Sequence, residues 1–213
     1  LAGWCSDNKF SLLGSLRVSA QMLSYEVTMG LNLIGIFMIY QSVELNKIIV
    51  EQGDLLFGFL PKWGIFTQPV AFILFLTAAI AESKRAPFDV PEGESEIVAG
   101  YHTEFSSMRF ALFFMAEFVG IVVIAAVAAA LFLGGWQIPF VDPKGIAGGW
   151  IMILQVLTFV AKVVFMCWVQ MMIRWSLPRF RYDQIMKLGW KYLLPLSLMN
   201  IFVTALVLLL IKS

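Results

Sequence analysis

Long apolar runs separated by shorter polar connections set the pattern of this chain. Five runs stand out: Val18–Tyr40, Ile65–Ala81, Phe110–Leu133, Trp150–Ile173 and Tyr192–Ile211. A hydrocarbon core of about 30 Å is crossed by about 20 mostly apolar residues in a helix. Each run therefore predicts a membrane-spanning helix, and the fold class is an all-α, polytopic membrane protein with about five transmembrane helices. The spans carry few interruptions: Glu26 and Asn32 in the first, Glu117 in the third, Lys162 in the fourth, and Pro195 near the start of the fifth. Residues 1–213 read as one membrane domain with no internal repeat.

The connections differ in character. Gln41–Gly64 is mixed, with Glu44, Glu51 and Asp54, and predicts a short surface helix. Gly134–Gly149 is rich in Gly and Pro and reads as a turn region. Ser176–Lys191, SLPRFRYDQIMKLGWK, is basic and aromatic, the composition expected where a chain meets lipid headgroups.

Composition strengthens the membrane reading. Of the 213 residues, 60% are hydrophobic and only 14% charged, and the mean hydropathy is +0.85. Soluble domains are less apolar and carry nearly twice that charge. The net charge of +1 and the lack of a basic stripe argue against nucleic acid. Cys5 and Cys167 are too few and too far apart for a disulfide framework or an iron–sulfur site. The sequence starts at Leu1 without a charged n-region and short apolar core, so no signal peptide is indicated and a preceding N-terminal portion is expected.

Lys and Arg placement predicts orientation. With Ser176–Lys191 inside, one face holds Lys9, Arg17, Lys84, Arg85, Arg109, Arg174, Arg179, Arg181, Lys187 and Lys191. The other holds Lys47, Lys62, Lys144 and Lys212. The bias puts the loop between the second and third spans on the cytoplasmic or matrix side.

That loop, residues 82–107, is acidic. Seven of the fourteen acidic residues fall within Ala81–Phe118: Glu82, Asp89, Glu92, Glu94, Glu96, Glu104 and Glu117. Most acidic loops are solvated faces. Here Pro87 and Pro91 impose a non-helical path, Gly93 and Gly100 permit close backbone approach, and Phe88, Val90, Ile97, Val98 and Tyr101 are interleaved with the acids. The loop is thus expected to pack against something. Crowded carboxylates cannot all ionise, so the cluster is expected to hold and pass protons, with Lys84 and Arg85 as local counter-charge.

Glu26, Glu117 and Lys162 are ionisable residues within spans. A charge at a helix centre costs about 2.5–3.5 kcal/mol on insertion scales, so these positions predict a polar interior or a proton path. The competing reading is a buried ion pair that fixes packing, with Lys162 against Glu117 or Glu26. No GxGxxG, Walker, HxxxH or CxxC pattern and no nucleophile elbow occurs, and His102 is the sole histidine, so no metal site is predicted. His102 reads as a loop or interface residue. The chain by itself does not resemble a complete enzyme.

AESKRAPFDVPEGESEIVAGYHTEF (Ala81–Phe105) and FALFFMAEF (Phe110–Phe118) resemble the H-subunit family of proton-translocating NADH–quinone oxidoreductase, respiratory complex I, called subunit 1 in mitochondria. Gly3–Val27 and Pro178–Leu196 support the resemblance, which covers nearly the whole chain. Family members resemble eight-helix proteins, so this piece corresponds to helices four to eight and the end of helix three. The resemblance implies a membrane subunit that forms much of the quinone tunnel and an acidic path coupling quinone reduction to proton pumping. It implies that Glu26 and Glu82 belong to that path, that Glu92, Glu94, Glu96 and Glu104 link it to quinone, and that Arg17, Arg85 and Arg109 are counter-charges. Arg179, Arg181 and Asp183 match the family's basic PRFRYDQ loop at a docking surface.

The implied substrate is a quinone, ubiquinone or menaquinone, with no FMN, NAD or iron–sulfur cluster in this chain. Implied partners are the iron–sulfur and quinone-site subunits of the hydrophilic arm, small and antiporter-like membrane subunits, and lipid. The implied location is the bacterial inner membrane, or alternatively the mitochondrial one. A membrane subunit of a related energy-converting hydrogenase and a stand-alone ion transporter or membrane scaffold are the alternatives. Visible internal repeats would favour a transporter, and none is seen.

Overall fold

In the computed structural model, residues 1–56, 60–89, 100–138 and 148–212 are described. Helix α1 (Ala2–Cys5) leads into α2 (Lys9–Tyr40), followed by α3 (Leu45–Gln52), a two-stranded antiparallel ribbon (Leu55–Leu56 with Leu60–Pro61), α4 (Gly64–Thr67) and α5 (Pro69–Glu82). A 3₁₀ turn (Gly100–His102) precedes α6 (Ser107–Phe132) and α7 (Gly148–Ser176). The chain ends with α8 (Tyr182–Lys187), a π-helical turn (Leu188–Leu193) and α9 (Leu194–Lys212).

Among the described residues, four helical segments are long and apolar enough to cross a membrane: Lys9–Tyr40, Ser107–Phe132, Trp150–Ser176 and Tyr182–Ile211. The remaining expected span is a shorter apolar helix, α5, of 14 residues. Its start is dictated locally. Pro69 at the first helical turn needs no N–H partner, and Gln68 before it is non-helical, so α4 and α5 are separate pieces. The surface helix expected between Gln41 and Gly64 is α3.

Helix α2 is the central strut, packing most extensively against α5 and α9. Asn8 caps it, its side chain accepting from the Phe10 N–H at 3.1 Å. Its 32 residues extend about 48 Å, beyond the apolar window at the basic N-terminal end. One row of uncharged polar residues on α2 faces inward: Gln21, Ser24, Thr28 and Asn32 are buried, whereas Leu16, Leu23 and Ile34 are exposed. Where lipid replaces water, apolar side chains are tolerated outside and helix contacts rely on small and polar groups. Accordingly Ala71, Ala78 and Ala79 of α5 and Ala125, Ala128 and Ala129 of α6 are fully buried.

Near the start of the last span, Pro195 lacks an N–H and would crowd the carbonyl of Lys191 in a regular helix. The π-helical turn Leu188–Leu193 immediately before it widens the helix there.

Segments expected on one membrane face meet at one end of the bundle. The Phe180 N–H donates to Pro87 O at 3.0 Å, Arg179 pairs with Asp89, Arg17 lies 5.4 Å from the Tyr182 ring, and Asn8 donates to Glu104 Oε1 at 2.8 Å. The other end is closed by Tyr40 donating to Lys62 O at 2.7 Å and Gln52 donating to Leu131 O at 2.7 Å.

Candidate functional site

The site lies where α5 ends. Ser83 closes the helix through its N–H to Ala79 O at 3.1 Å. Lys84 then adopts a left-handed conformation, φ 56°, the usual way a helix is terminated and the chain redirected. This reversal turns Arg85 into the protein, where it is 8% exposed. Its Nη2 lies 3.2 Å from Glu117 Oε2 on α6, and its guanidinium sits 4.3 Å from the Phe118 ring and 5.4 Å from the Phe114 ring. A buried cation is tolerated only when partnered, and Glu117 with the two rings supplies that partnership.

Next to the pair is a cavity of about 620 Å³. Its floor comes from α1 and α2 (Gly3, Ser15, Val18, Ser19, Met22), its rim from Glu82, Ser83, Lys84 and Tyr101, and its far wall from α6 (Phe113, Ala116, Glu117, Gly120, Ile124). The volume falls in the range of small-molecule sites, and the wall is mostly apolar with a few convergent polar groups. Glu82 and Glu117, from different helices, both line it. Lys84 Nζ lies 5.4 Å from the Tyr101 ring. Gly14 of α2 makes the floor possible, because a Cβ there would stand 3.0 Å from Gly100 Cα and from Tyr101 N.

The candidate residues divide by placement. Glu82, Arg85 and Glu117 come together. Glu26 is exposed on the surface of this chain, within electrostatic reach of Glu82. Glu104 is exposed and accepts from Asn8, and Arg109 is exposed in the first turn of α6. Arg17 packs on Tyr182 rather than in the cavity wall. Arg181 and Asp183 are exposed at the start of α8, and Arg179 is tied to Asp89. Glu92, Glu94 and Glu96, with Val90, Pro91, Gly93, Ile97 and Val98, lie outside the described residues.

The partners of Lys162 are backbone carbonyls rather than Glu117 or Glu26. Its ammonium donates to Gly135 O at 2.9 Å and Gln137 O at 2.7 Å and sits 4.6 Å from the Trp63 ring. It binds the loop that follows α6. His102 is packed among aromatic rings, with centroids 4.0 Å from Tyr101, 5.4 Å from Phe110 and 5.3 Å from Phe113. Among the described residues no group of three or more His, Cys, Asp or Glu could hold a metal ion.

Neutral amides escape a search for charge. Gln21, 1% exposed, donates to Ala81 O at 2.8 Å and Phe88 O at 3.1 Å, fixing both sides of the turn that carries Arg85. Gln68 donates to Thr204 Oγ1 at 2.6 Å and accepts from Asn200 Nδ2 at 2.8 Å, joining α5 to α9. Their signal in the sequence is an amide inside or beside an apolar run.

Comparison with known proteins bears on identity. The family model described as NADH dehydrogenase matches residues 1–205. The chain is 50% identical over 207 residues to a protein of Geobacter sulfurreducens named as an H subunit of NADH-quinone oxidoreductase, covering 97% of this chain and 55% of the relative. It is 50% identical over 210 residues to the H subunit of NADH-quinone oxidoreductase of Thermomicrobium roseum, covering 97% and 58%. It is 43% identical over 215 residues to NADH-quinone oxidoreductase subunit 8 of Rhodothermus marinus, covering 97% and 62%. The chain thus spans somewhat over half the length of these relatives. With nearly its whole length matched at up to half identity, the chain belongs to the NADH dehydrogenase family, in the group of membrane subunits typified by the H subunit of NADH-quinone oxidoreductase.

Proposed function

We propose that this chain forms part of the quinone cavity and of the acidic path in a proton-translocating NADH–quinone oxidoreductase. The observation that carries this reading is the apolar cavity with Glu82 and Glu117 in its wall and Arg85 held on Glu117. Reducing a quinone to a quinol takes two electrons and two protons. A neighbouring iron–sulfur subunit supplies the electrons. The cavity wall supplies what a hydrophobic carrier needs, an apolar surface with proton-bearing groups on one side.

Glu82 and Glu117 hold or release protons at the cavity, and Arg85 and Lys84 offset the charge left behind. Loss of a proton from one carboxylate alters the field on the next, so Glu26, within reach of Glu82, passes the change to the outer surface of the bundle. A membrane subunit packed there receives it. Moving one charge against 100 mV requires about 2.3 kcal/mol, within the range that a few coupled carboxylates provide. Glu92, Glu94, Glu96 and Glu104 link the cavity to this path. Arg17 and Arg109 contribute positive potential at the same face, and Arg179, Arg181 and Asp183 meet the hydrophilic arm. The setting is a bacterial inner membrane, in keeping with bacterial relatives.

The names of the relatives include quinone, which favours this reading over a quinone-independent hydrogenase subunit. The test is Glu82→Gln, Glu117→Gln and Glu26→Gln in the assembled complex, with quinone reduction and proton pumping measured in sealed vesicles. Each of the first two lowers both rates several-fold, and Glu26→Gln lowers pumping. Wild-type values for all three variants would overturn the proposal.

A further inference from the structure

A second, smaller space lies against Arg85 and shares Ser83 with the large cavity. Its volume is about 30 Å³, and its lining includes Ile80, Ser83, Arg85, Phe118, Gln170 and Arg174. Gln170 belongs to α7, which also brings Arg174 to this space. It is 7% exposed, and its Nε2 has no hydrogen-bond partner among the described residues. The same holds for Arg85 Nε, and for Arg85 Nη2, which is ion-paired with Glu117 at 3.2 Å without a hydrogen bond.

All three of these atoms are donors, so they cannot satisfy one another. A buried donor left without an acceptor costs about 1–3 kcal/mol. What fits between Gln170 Nε2 and Arg85 Nε is an acceptor with two lone pairs. One water needs roughly 10–15 Å³ of such space, so the void has room for one or two. A water fits better than an anion, because Glu117 already balances the Arg85 charge, Arg174 is exposed, and the remaining walls are largely apolar. Ser83 Oγ donates to Ile80 O at 2.8 Å, which leaves its lone pairs free to accept from a water in the void. Two donors and one acceptor match the three hydrogen bonds typical of an internal water.

We propose that Gln170 is a positioning residue for the Arg85–Glu117 pair, acting through a water held between its amide and the Arg85 guanidinium. The water fixes the guanidinium plane, so that Nη2 stays on Glu117 while the rings of Phe114 and Phe118 confine it laterally. This role rests on the proposed function, in which Glu117 serves the cavity.

The test has two readouts on the assembled complex. A cryo-EM map that resolves other buried waters shows a density peak within hydrogen-bond distance of both Arg85 Nε and Gln170 Nε2, and loses it in Gln170→Met, which keeps the length of the side chain and removes the donor. No peak in the wild type, or a peak unchanged in Gln170→Met, overturns the bridging water, whatever the complex does with quinone. In kinetics, Gln170→Met lowers kcat for quinone reduction by roughly two- to tenfold, the equivalent of one hydrogen bond, with KM for quinone unchanged. A lost peak with unaltered kcat, or a change confined to KM, overturns the positioning role.

Discussion

At the scale of single residues, the buried Arg85 and the half-buried Lys162 are given different local solutions. Arg85 takes a carboxylate and two aromatic faces. Lys162 takes two carbonyls and an indole. The Lys162 arrangement has no role in the cavity, since its contacts lie at the opposite end of the bundle. Its removal leaves the Gly135 and Gln137 carbonyls without that donor, at about 1–3 kcal/mol. Lys162→Met is therefore expected to lower the thermal midpoint of the detergent-solubilised complex by several degrees while leaving the KM for quinone intact. Lys162→Arg, which keeps the charge and the donors, loses less. Equal midpoints for Lys162→Met and the wild type would show that the ammonium contributes nothing to the outer end. The carboxylates are legible in the sequence because a charge inside an apolar run stands out. Gln21, Gln68 and Gln170 are not, because an amide is compatible with lipid-facing, packing or polar roles until its neighbours are known.

At the scale of elements, helix ends and close approaches shape the site more than helix interiors do. The left-handed Lys84 and the 3₁₀ turn Gly100–His102 set the cavity rim. Gly14 is the point of closest approach between α2 and that turn. Gly14→Ala would press a methyl group against backbone atoms of Gly100 and Tyr101, which cannot rotate away. It is expected to displace Tyr101 from the cavity and raise the KM for quinone. At Gly30, on the same helix, a Cβ would meet nothing within 4 Å, so Gly30→Ala leaves kinetics unchanged and adds helix propensity. If both variants behave alike, the turn is not held by that contact. Periodicity marks the spans well but places their ends poorly. The first long helix begins at Lys9 rather than Val18 because hydrophobicity reports the bilayer, whereas hydrogen bonding continues into the polar zone.

At the scale of the molecule, the two ends differ in charge and in the segments they gather. The basic N-terminal turns, the Arg85 turn and the PRFRYDQ segment meet at one end, in agreement with the loop bias. Topology can be read directly with Lys47→Cys and Lys187→Cys, in a background lacking Cys5 and Cys167. A membrane-impermeant maleimide is expected to label Lys47→Cys in right-side-out vesicles and Lys187→Cys in inverted vesicles stripped of peripheral proteins. The reverse pattern would invert the assigned orientation and place the cavity on the wrong side for an inner-face arm. The faces of α6, α7 and α9 expose many large apolar side chains, as expected of surfaces that meet lipid or other membrane subunits rather than water.

By itself the sequence determined the membrane class, the number of apolar segments, the charge asymmetry and the family, because each follows from local composition or from contiguous motifs. Tertiary structure alone decided that Glu117 rather than another acid meets Arg85, that Lys162 bonds to carbonyls, and that Gln170 shares a small space with Arg85. Those pairings join residues distant along the chain, and which partners meet depends on helix rotation and chain reversal. Neither is encoded in the period of an apolar run when lipid leaves the outward face as hydrophobic as the core.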